Sequence, residues 1–162
     1  MKRFILFSLT AFAVSSCKFL ESIISEYGIW MNNLSNNEVV VWGTYVQTNG
    51  TKLPNERPVC DQVDRTADMS FYYSDVIMKQ GKDWRKDLSA TDTIRIFVFD
   101  KEIFEKTHWS VIRDQYLILQ RYDFTKAELA TLGWHIAYPP TLEMKDIKMW
   151  PPYEEAIKQY EK

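Results

Sequence analysis

The sequence predicts a mainly β fold, an antiparallel β-sandwich (immunoglobulin-like or similar) with short helical insertions. Trp, Tyr and Phe make up 15% of the 162 residues, and aromatic side chains are common in strands. Short runs of β-branched and aromatic residues recur along the chain, separated by turn-forming residues or by short helical segments. An α+β fold, in which helices pack on one face of a sheet, is the alternative.

The first predicted strand covers residues 39–46, where β-branched or aromatic side chains stand at almost every position. The Asn-Gly pair at residues 49–50 then predicts a tight turn. Residues 53–60 are expected to be extended, and Pro54 and Pro58 keep this segment out of the middle of a sheet. This part of the chain is therefore predicted to supply one sheet strand and one edge segment.

The strongest strand pattern covers residues 93–99. Two sets of side chains alternate along it, so that one face of the strand is aliphatic and the other ends in aromatic rings. The aliphatic set is Ile94, Ile96 and Val98, and the opposite set is Thr93, Arg95, Phe97 and Phe99. Residues 103–106 and 109–114 then suit short helical turns, and residues 116–124 return to a strand pattern.

The last part of the domain is predicted to begin with a helix. Thr125 is its predicted N-cap residue, and Glu128 stands three positions later, as in a capping box. The helix is expected to end near Gly133. Residues 134–138 predict a last short strand, and residues 153–161 predict a polar helix.

Residues 1–16 have the features of an export signal. Lys2 and Arg3 precede an uncharged run over residues 4–14, and two small serines follow that run. The run is too short to span a bilayer, which requires about 20 apolar residues. The segment is therefore predicted to direct export rather than to form a membrane span.

The segment Val14-Ser15-Ser16-Cys17 resembles the bacterial lipobox. The resemblance implies that the Cys17 thiol receives a diacylglycerol group and that cleavage makes Cys17 the first residue of the mature chain. Several acyl chains hold a protein stably on a membrane. The predicted organisation is a lipoprotein signal peptide at residues 1–16, a lipidated tether at 17–36, a β-rich globular domain at 37–140 and a C-terminal extension at 141–162.

Composition argues against several classes of function. The chain has 20 Lys and Arg against 22 Asp and Glu, and loss of the basic signal segment makes it more acidic, which argues against nucleic acid as a partner. After acylation of Cys17, Cys60 is the only thiol left, and a lone Cys is typically a small buried residue. No spacing of His and Cys predicts a metal site, and no motif predicts a cofactor.

No catalytic residues are predicted. His108 and His135 are the only imidazoles, and neither belongs to a recognisable motif with a serine or cysteine nucleophile. Asp100, Asp114 and Asp123 are the acids nearest to predicted strand or helix ends, where turn or capping roles explain them. A hydrolase that uses two carboxylates stays open as an alternative.

The six Trp residues fall into two overlapping groups. Four of them stand among the predicted strands, where packing in the core is expected: Trp42, Trp84, Trp109 and Trp134. Trp84 is also one of the three predicted exposed aromatic contacts, with Trp30 and Trp150. Trp84 has charged neighbours on both sides, and Trp30 and Trp150 lie outside the predicted core.

Several segments resemble small lipoproteins of unknown function from Bacteroides-type bacteria. They are the Asn-rich segment at 33–36, the Pro-containing stretch at 53–58, the strand ending in Phe-Asp at 96–100, the run at 109–123 and the Trp-x-Ile-x-Tyr-Pro ending at 134–139. The resemblance covers residues 33–140 and implies an outer-membrane lipoprotein with a β-rich fold, without implying an activity. Asp92-Thr93-Ile94 also resembles an O-glycosylation sequon of these bacteria, which implies a glycan on Thr93.

Three functions fit these observations, in decreasing order of preference. The first is a non-catalytic envelope module that binds a protein or a glycan. The second is an accessory structural subunit of an outer-membrane complex, docked through residues 141–162, and the third is the carboxylate hydrolase. In each case the membrane is a partner through the lipid on Cys17. The periplasmic face and the cell-surface face of the outer membrane are alternative locations for the domain.

Overall fold

The computed structural model of the chain describes residues 29–45, 53–58, 61–63, 86 and 88–160. The described elements, in chain order, are β1 (Trp30–Asn33), β2 (Val39–Tyr45), β3 (Asp61–Val63), β4 (Thr93–Asp100), α1 (Lys101–Lys106), α2 (Trp109–Gln115), β5 (Gln120–Thr125), α3 (Lys126–Thr131), β6 (His135–Tyr138), a 3-10 turn (Leu142–Met144), β7 (Lys148–Trp150) and α4 (Tyr153–Lys158). Cys17, Cys60, Trp84 and the turn predicted at 49–50 lie outside the described residues. None of the described helices is long and apolar enough to cross a membrane.

An antiparallel sheet forms the centre of the fold. Its strands β2, β4, β5 and β7 are consecutive neighbours, and the short β3 continues the sheet beside β2. Strands β1 and β6 form a separate parallel pair. The described residues therefore form a mixed α+β fold, which is the alternative that the sequence predicts. The β-sandwich is not shown, since no second antiparallel sheet faces the first within these ranges.

Strand β4 lies in the middle of the sheet because most of its side chains on both faces are apolar. On one face, Ile94, Ile96 and Val98 pack with Tyr122 and Phe124 of β5. Residues of β1, α3, β6 and the 3-10 turn complete this core. Short helices and a two-stranded parallel pair thus occupy the place where a sandwich would have its second sheet.

The opposite face of the sheet carries an aromatic cluster. Phe97 and Phe99 of β4 pack there with Phe104 of α1 and Trp109 of α2. The segment of residues 53–58 lies against these helices, since the Trp109 Nε1–H donates to the carbonyl oxygen of Pro54 at 3.0 Å. Trp109 is 6% exposed, so its predicted place in the core is confirmed. Helices α1 and α2 therefore cover the Phe99 end of this face.

Strand β1 lies in the segment that the sequence analysis assigns to the tether. Trp30–Asn33 pair in parallel with His135–Tyr138, and Met31 is buried. The Asn33 side-chain oxygen then accepts hydrogen bonds from the Ser35 backbone N–H and hydroxyl, at 3.1 and 2.7 Å, and so closes a buried turn. A four-residue strand that ends in two asparagines lacks the alternation that predicts strands, so β1 is not predicted from the sequence.

Strand β5 begins later than the sequence predicts. Tyr116 has a φ of 54° and a ψ of 47°, and it ends α2 in the left-handed conformation. Residues 117–119 then connect it to the strand, which begins at Gln120. The predicted start at residue 116 is wrong because the left-handed residue redirects the chain at the helix end. The Tyr116 ring consequently contacts the sheet instead of belonging to it.

The predicted capping box is confirmed at the start of α3. The Glu128 backbone N–H donates to Thr125 Oγ1 at 3.2 Å, and the Thr125 backbone N–H donates to the Glu128 carboxylate at 2.6 Å. The helix ends at Thr131, and Gly133 follows with a φ of 61°. Glycine adopts this left-handed conformation without a steric penalty. Both predicted ends of the helix are therefore confirmed.

Residues 141–160, which belong to the predicted C-terminal extension, pack on the main fold. Strand β7 adds to the sheet beside β5, and Met144 is buried in the first core. The hydroxyl groups of Tyr138 and Tyr160 are hydrogen-bonded, which fixes the residues after α4 to β6. The predicted polar helix at 153–161 is confirmed as α4. These residues thus contribute a strand and core side chains.

Candidate functional site

Two rows of side chains cross the sheet on the face that carries Phe97. In the strand register, one row consists of Thr44, Arg95, Asp123 and Lys148 on four consecutive strands. The next row consists of Trp42, Phe97, Arg121 and Trp150. Positions two apart on a strand share a face, so the two rows are neighbours. We call the following set the cationic–aromatic face: Arg95, Tyr116, Arg121, Asp123, Lys148 and Trp150.

The most tightly bound pair on this face is Arg95 and Asp123. The Arg95 Nε–H donates to Asp123 Oδ1 at 2.5 Å, and the Nη2–H donates to Oδ2 at 2.9 Å. The two side chains are 7% and 3% exposed. These hydrogen bonds raise the pKa of the Arg95 guanidinium. Both carboxylate oxygens of Asp123 are thus engaged by one guanidinium group.

Arg121 is a second buried guanidinium beside the same carboxylate. Its side chain is 9% exposed, and its Nε lies 3.7 Å from Asp123 Oδ1. The Nη1–H donates to the Tyr116 hydroxyl at 2.8 Å. The Nε–H is buried and has no hydrogen-bond partner among the residues that the structure describes. Arg121 therefore has a buried donor that the described protein groups leave unused.

Lys148 is a third cation near Asp123. Its Nζ lies 4.0 Å from Asp123 Oδ2, and its side chain is 78% exposed. Three cations therefore share one carboxylate, which gives this group of four side chains an excess of positive charge. The excess is notable because the whole chain carries a formal charge of −2.

Two aromatic rings stand beside these charges. Trp150 is 41% exposed, and its ring meets the Tyr116 ring edge-on at a centroid distance of 5.1 Å. Trp150 stands directly opposite Arg121 in the register of β7 and β5. The face therefore presents an open indole next to a buried guanidinium and an exposed ammonium group.

The structure separates the three predicted aromatic contacts. Trp150 is exposed, as the sequence predicts. Trp30 is instead 9% exposed, because β1 belongs to the parallel pair and its ring stacks on His135 at 6.1 Å. Trp84 lies outside the described residues, as does the predicted lipidation site Cys17. Of the three, Trp150 is the one that lies beside charged side chains and so belongs to the candidate site.

Thr93, the predicted O-glycosylation site, begins β4 and is half-buried. It stands opposite Thr125 in the register with β5. A glycan on Thr93 stays a prediction from the sequence.

The acids and histidines from the sequence analysis have mostly local roles. Asp100 caps α1 by accepting the Ile103 backbone N–H at 2.9 Å, which confirms its expected capping role. His108 is exposed and is the N-cap residue of α2, and His135 is exposed on β6. Asp123 differs, because it lies within β5 and forms a buried ion pair. The expected turn or cap role of Asp123 is therefore wrong.

The cations of the cationic–aromatic face can bind an anion. Guanidinium and ammonium groups donate hydrogen bonds and accept none, so they suit an anion. In the described ranges no group of three or more His, Cys, Asp or Glu side chains is placed to hold a metal ion. The carboxylate of Asp123 is engaged by Arg95, which occupies the oxygens that an acid or base would use.

Comparison with known proteins adds no family. The chain matches no family model, no curated protein and no solved structure. The resemblance to Bacteroides-type lipoproteins accordingly stays a prediction from the sequence.

The charged members of this face are not predicted as a site from the sequence. A signal was present, since Arg95 interrupts an otherwise apolar strand pattern and Arg121 and Asp123 alternate on another. Charged residues are seldom fully buried unless they are paired. What the sequence does not supply is the register that brings β4, β5 and β7 side by side.

Proposed function

We propose that this protein is a non-catalytic binding module of the cell envelope, held at the outer membrane by lipid on Cys17, which captures a glycan on its cationic–aromatic face. The observation that carries the proposal is the exposed Trp150 indole beside Tyr116 and Arg121. An exposed aromatic ring among fixed polar groups is a common form of ligand contact.

A glycan suits this arrangement because sugar rings have flat C–H faces and a rim of hydroxyl groups. The C–H face packs on an indole such as Trp150, which offers a large apolar surface at little conformational cost. Charge-assisted hydrogen bonds from Arg121 and Lys148 can orient the polar rim of the sugar. The face therefore offers both contacts that a sugar ring needs.

A peptide added as a further strand suits the same edge less well. Strand β7 forms this edge of the sheet and has only three residues, Lys148–Trp150. Pro151 and Pro152 follow it directly. Short strands, lysine and proline are features that prevent edge strands from pairing with other chains.

The test of glycan capture is electrophoresis of the full-length chain in native gels that contain dextran, dextran sulfate or polygalacturonate. We expect at least one polysaccharide to retard the protein, and Trp150→Ala to abolish the retardation. Leu142→Ala is the matched control, because Leu142 is also exposed but lies outside this face. Equal retardation of the parent and Trp150→Ala, or no retardation by any of the three, contradicts the proposal.

The lipid anchor is tested separately by fractionation and by protease treatment of intact cells. We expect the parent to sediment with outer membranes and Cys17→Ser to be soluble. Digestion by external protease assigns the domain to the cell surface, and protection until the outer membrane is opened assigns it to the periplasm. Membrane fractionation of Cys17→Ser that equals that of the parent rules out the anchor.

The second candidate is an accessory subunit of an outer-membrane complex. It is favoured by two exposed leucines, Leu34 and Leu142, which are 57% and 74% exposed and follow the ends of β1 and β6. Docking through a free C-terminal tail is less favoured, since residues 141–160 pack on the fold. The test is co-purification of envelope proteins with Leu142→Ser. Loss of a specific partner supports this role, and an unchanged set argues against it.

A further inference from the structure

The positive charge of Arg121 and Lys148 is only partly neutralised. Both carboxylate oxygens of Asp123 accept hydrogen bonds from Arg95, at 2.5 and 2.9 Å. Arg121 Nε and Lys148 Nζ lie 3.7 and 4.0 Å from the nearest Asp123 oxygen, beyond hydrogen-bond distance. Within the described ranges, no other carboxylate forms an ion pair with these two cations. A further anion next to them would therefore be favourable.

The Arg121 Nε–H is the donor to which such an anion would supply a hydrogen-bond acceptor. A buried donor without a partner has lost its hydrogen bonds to water and gained none in return. Tyr116 orients the guanidinium by accepting its Nη1–H at 2.8 Å, so the group is held in place before a ligand arrives. An oxyanion with two free oxygens matches the planar donor edge of a guanidinium.

Trp150 ties this anion subsite to the sugar contact. Trp150 stands directly opposite Arg121 in the register, and Lys148 is the diagonal neighbour of Arg121 on β7. Opposite and diagonal side chains on paired strands lie within reach of one ligand group. An acidic substituent on a sugar that packs on Trp150 would thus meet both cations.

We infer that the captured glycan is acidic, and that Arg121 and Lys148 bind a carboxylate or sulfate group carried by the sugar that packs on Trp150. This inference rests on the proposed glycan-binding function. Arg121 supplies the directed hydrogen bonds, and Lys148 supplies a mobile charge at the solvent-exposed side. Asp123 holds Arg95 and thereby leaves Arg121 available for the ligand.

The experiment is an NMR titration of the ¹⁵N-labelled full-length chain in non-ionic detergent, with the Arg121 Nε–H signal as the probe. The ligands are glucuronate, glucose 6-sulfate, glucose, inorganic sulfate and a hexaglutamate peptide. We expect the two acidic sugars to shift the signal with a Kd at least about tenfold lower than that of glucose, since a charge-assisted contact is involved. Added salt should weaken their binding.

Variants then test the two assigned cations. Arg121→Lys keeps the charge but removes the planar donor edge, and we expect about tenfold weaker binding of glucuronate, followed by the Trp150 indole N–H signal because this variant lacks the Arg121 probe. Lys148→Gln alters a side chain that is 78% exposed, and we expect about threefold weaker binding. Lys106→Gln is the control, because it removes one exposed positive charge from α1 and should leave the affinity unchanged.

The other outcomes each contradict a different statement. Glucose that binds as tightly as glucuronate overturns the acidic specificity while glycan capture stands. Inorganic sulfate or hexaglutamate that binds as tightly as the acidic sugars overturns the sugar assignment and leaves a general anion site. No response of the Arg121 signal to any ligand, or unchanged affinity in Lys148→Gln, overturns the inference itself.

Discussion

Arg95 and Asp123 face each other on neighbouring strands and are joined by two hydrogen bonds of 2.5 and 2.9 Å. Both side chains are buried, so neither charge is stabilised by bulk water. Asp123 also lies 3.7 Å from Arg121 Nε and 4.0 Å from Lys148 Nζ. Asp123 thus pairs with one buried cation and lies close to two further cations on the same sheet face.

Asp123→Asn should lower the free energy of unfolding by about 3–5 kcal/mol, because it removes the charge that compensates buried cations. Urea denaturation followed by circular dichroism measures this change. Asp114→Asn is the control, since the Asp114 side chain is exposed and pairs with Arg113 at the surface. A small effect of Asp123→Asn, similar to that of the control, would show that the buried pair is not required.

The protein should lose stability above about pH 10 through Tyr122. Burial raises the pKa of its phenol well above the ordinary value, whereas the unfolded chain ionises near pH 10. The contribution is complete below pH 10 and is lost as the pH rises towards the folded-state pKa, at about 1.4 kcal/mol per unit.

Tyr122→Phe tests this alkaline loss. The variant should be about 1 kcal/mol less stable at neutral pH, because Tyr122 donates its hydroxyl to the Ala137 carbonyl oxygen at 2.8 Å. Above pH 10 its stability should fall less steeply than that of the parent. Urea midpoints at pH 8, 10 and 11 give the slopes, with Tyr153→Phe as the control. Parallel slopes for Tyr122→Phe and the parent would contradict the assignment.

Thr125→Ala should cost about 1 kcal/mol, since it removes half of the capping box that begins α3. Thr141 offers a matched control, because it precedes the 3-10 turn and makes no side-chain cap hydrogen bond. Thermal and urea denaturation of both variants should show a loss for Thr125→Ala alone. Equal losses at the two positions would mean that threonine acts through some other interaction.

Ile96→Ala should lower the free energy of unfolding by about 2–5 kcal/mol. Ile96 is fully buried between β4 and the layer of short elements above it, and truncation leaves a cavity there. Leu142→Ala removes a similar side chain from an exposed position and should change stability by less than about 0.5 kcal/mol. A tolerated Ile96→Ala would mean that this core relaxes to fill the space.

Elements with strong local patterns could be predicted from the sequence. The alternation in β4 and the capping box of Thr125 and Glu128 depend only on residues a few positions apart in the chain. Both predictions are confirmed. Strand β1 and the pair Arg95 and Asp123 depend on contacts between distant parts of the chain. The register that creates them is set by packing of the whole sheet, so composition and spacing did not reveal them.

The candidate site follows the same division. Trp150 was predicted to be exposed because it lies outside the predicted core, and the structure agrees. Trp30 was predicted to be exposed for the same reason, but the parallel pair buries it. The partners that make Trp150 a site, above all Arg121, come from another strand. The local pattern therefore predicts Trp150 but not the charged side chains beside it.

The parallel pairing of β1 with β6 affects the order in which the chain can assemble. Trp30 comes near the start of the described chain, yet its partner His135 comes near the end. During synthesis β1 leaves the ribosome early and stays unpaired until β6 has also been made. Closing so long a loop is slow and entropically unfavourable. We therefore expect the antiparallel pairing of β4 and β5, which are close in the chain, to form first and the N-terminal strand to be added last.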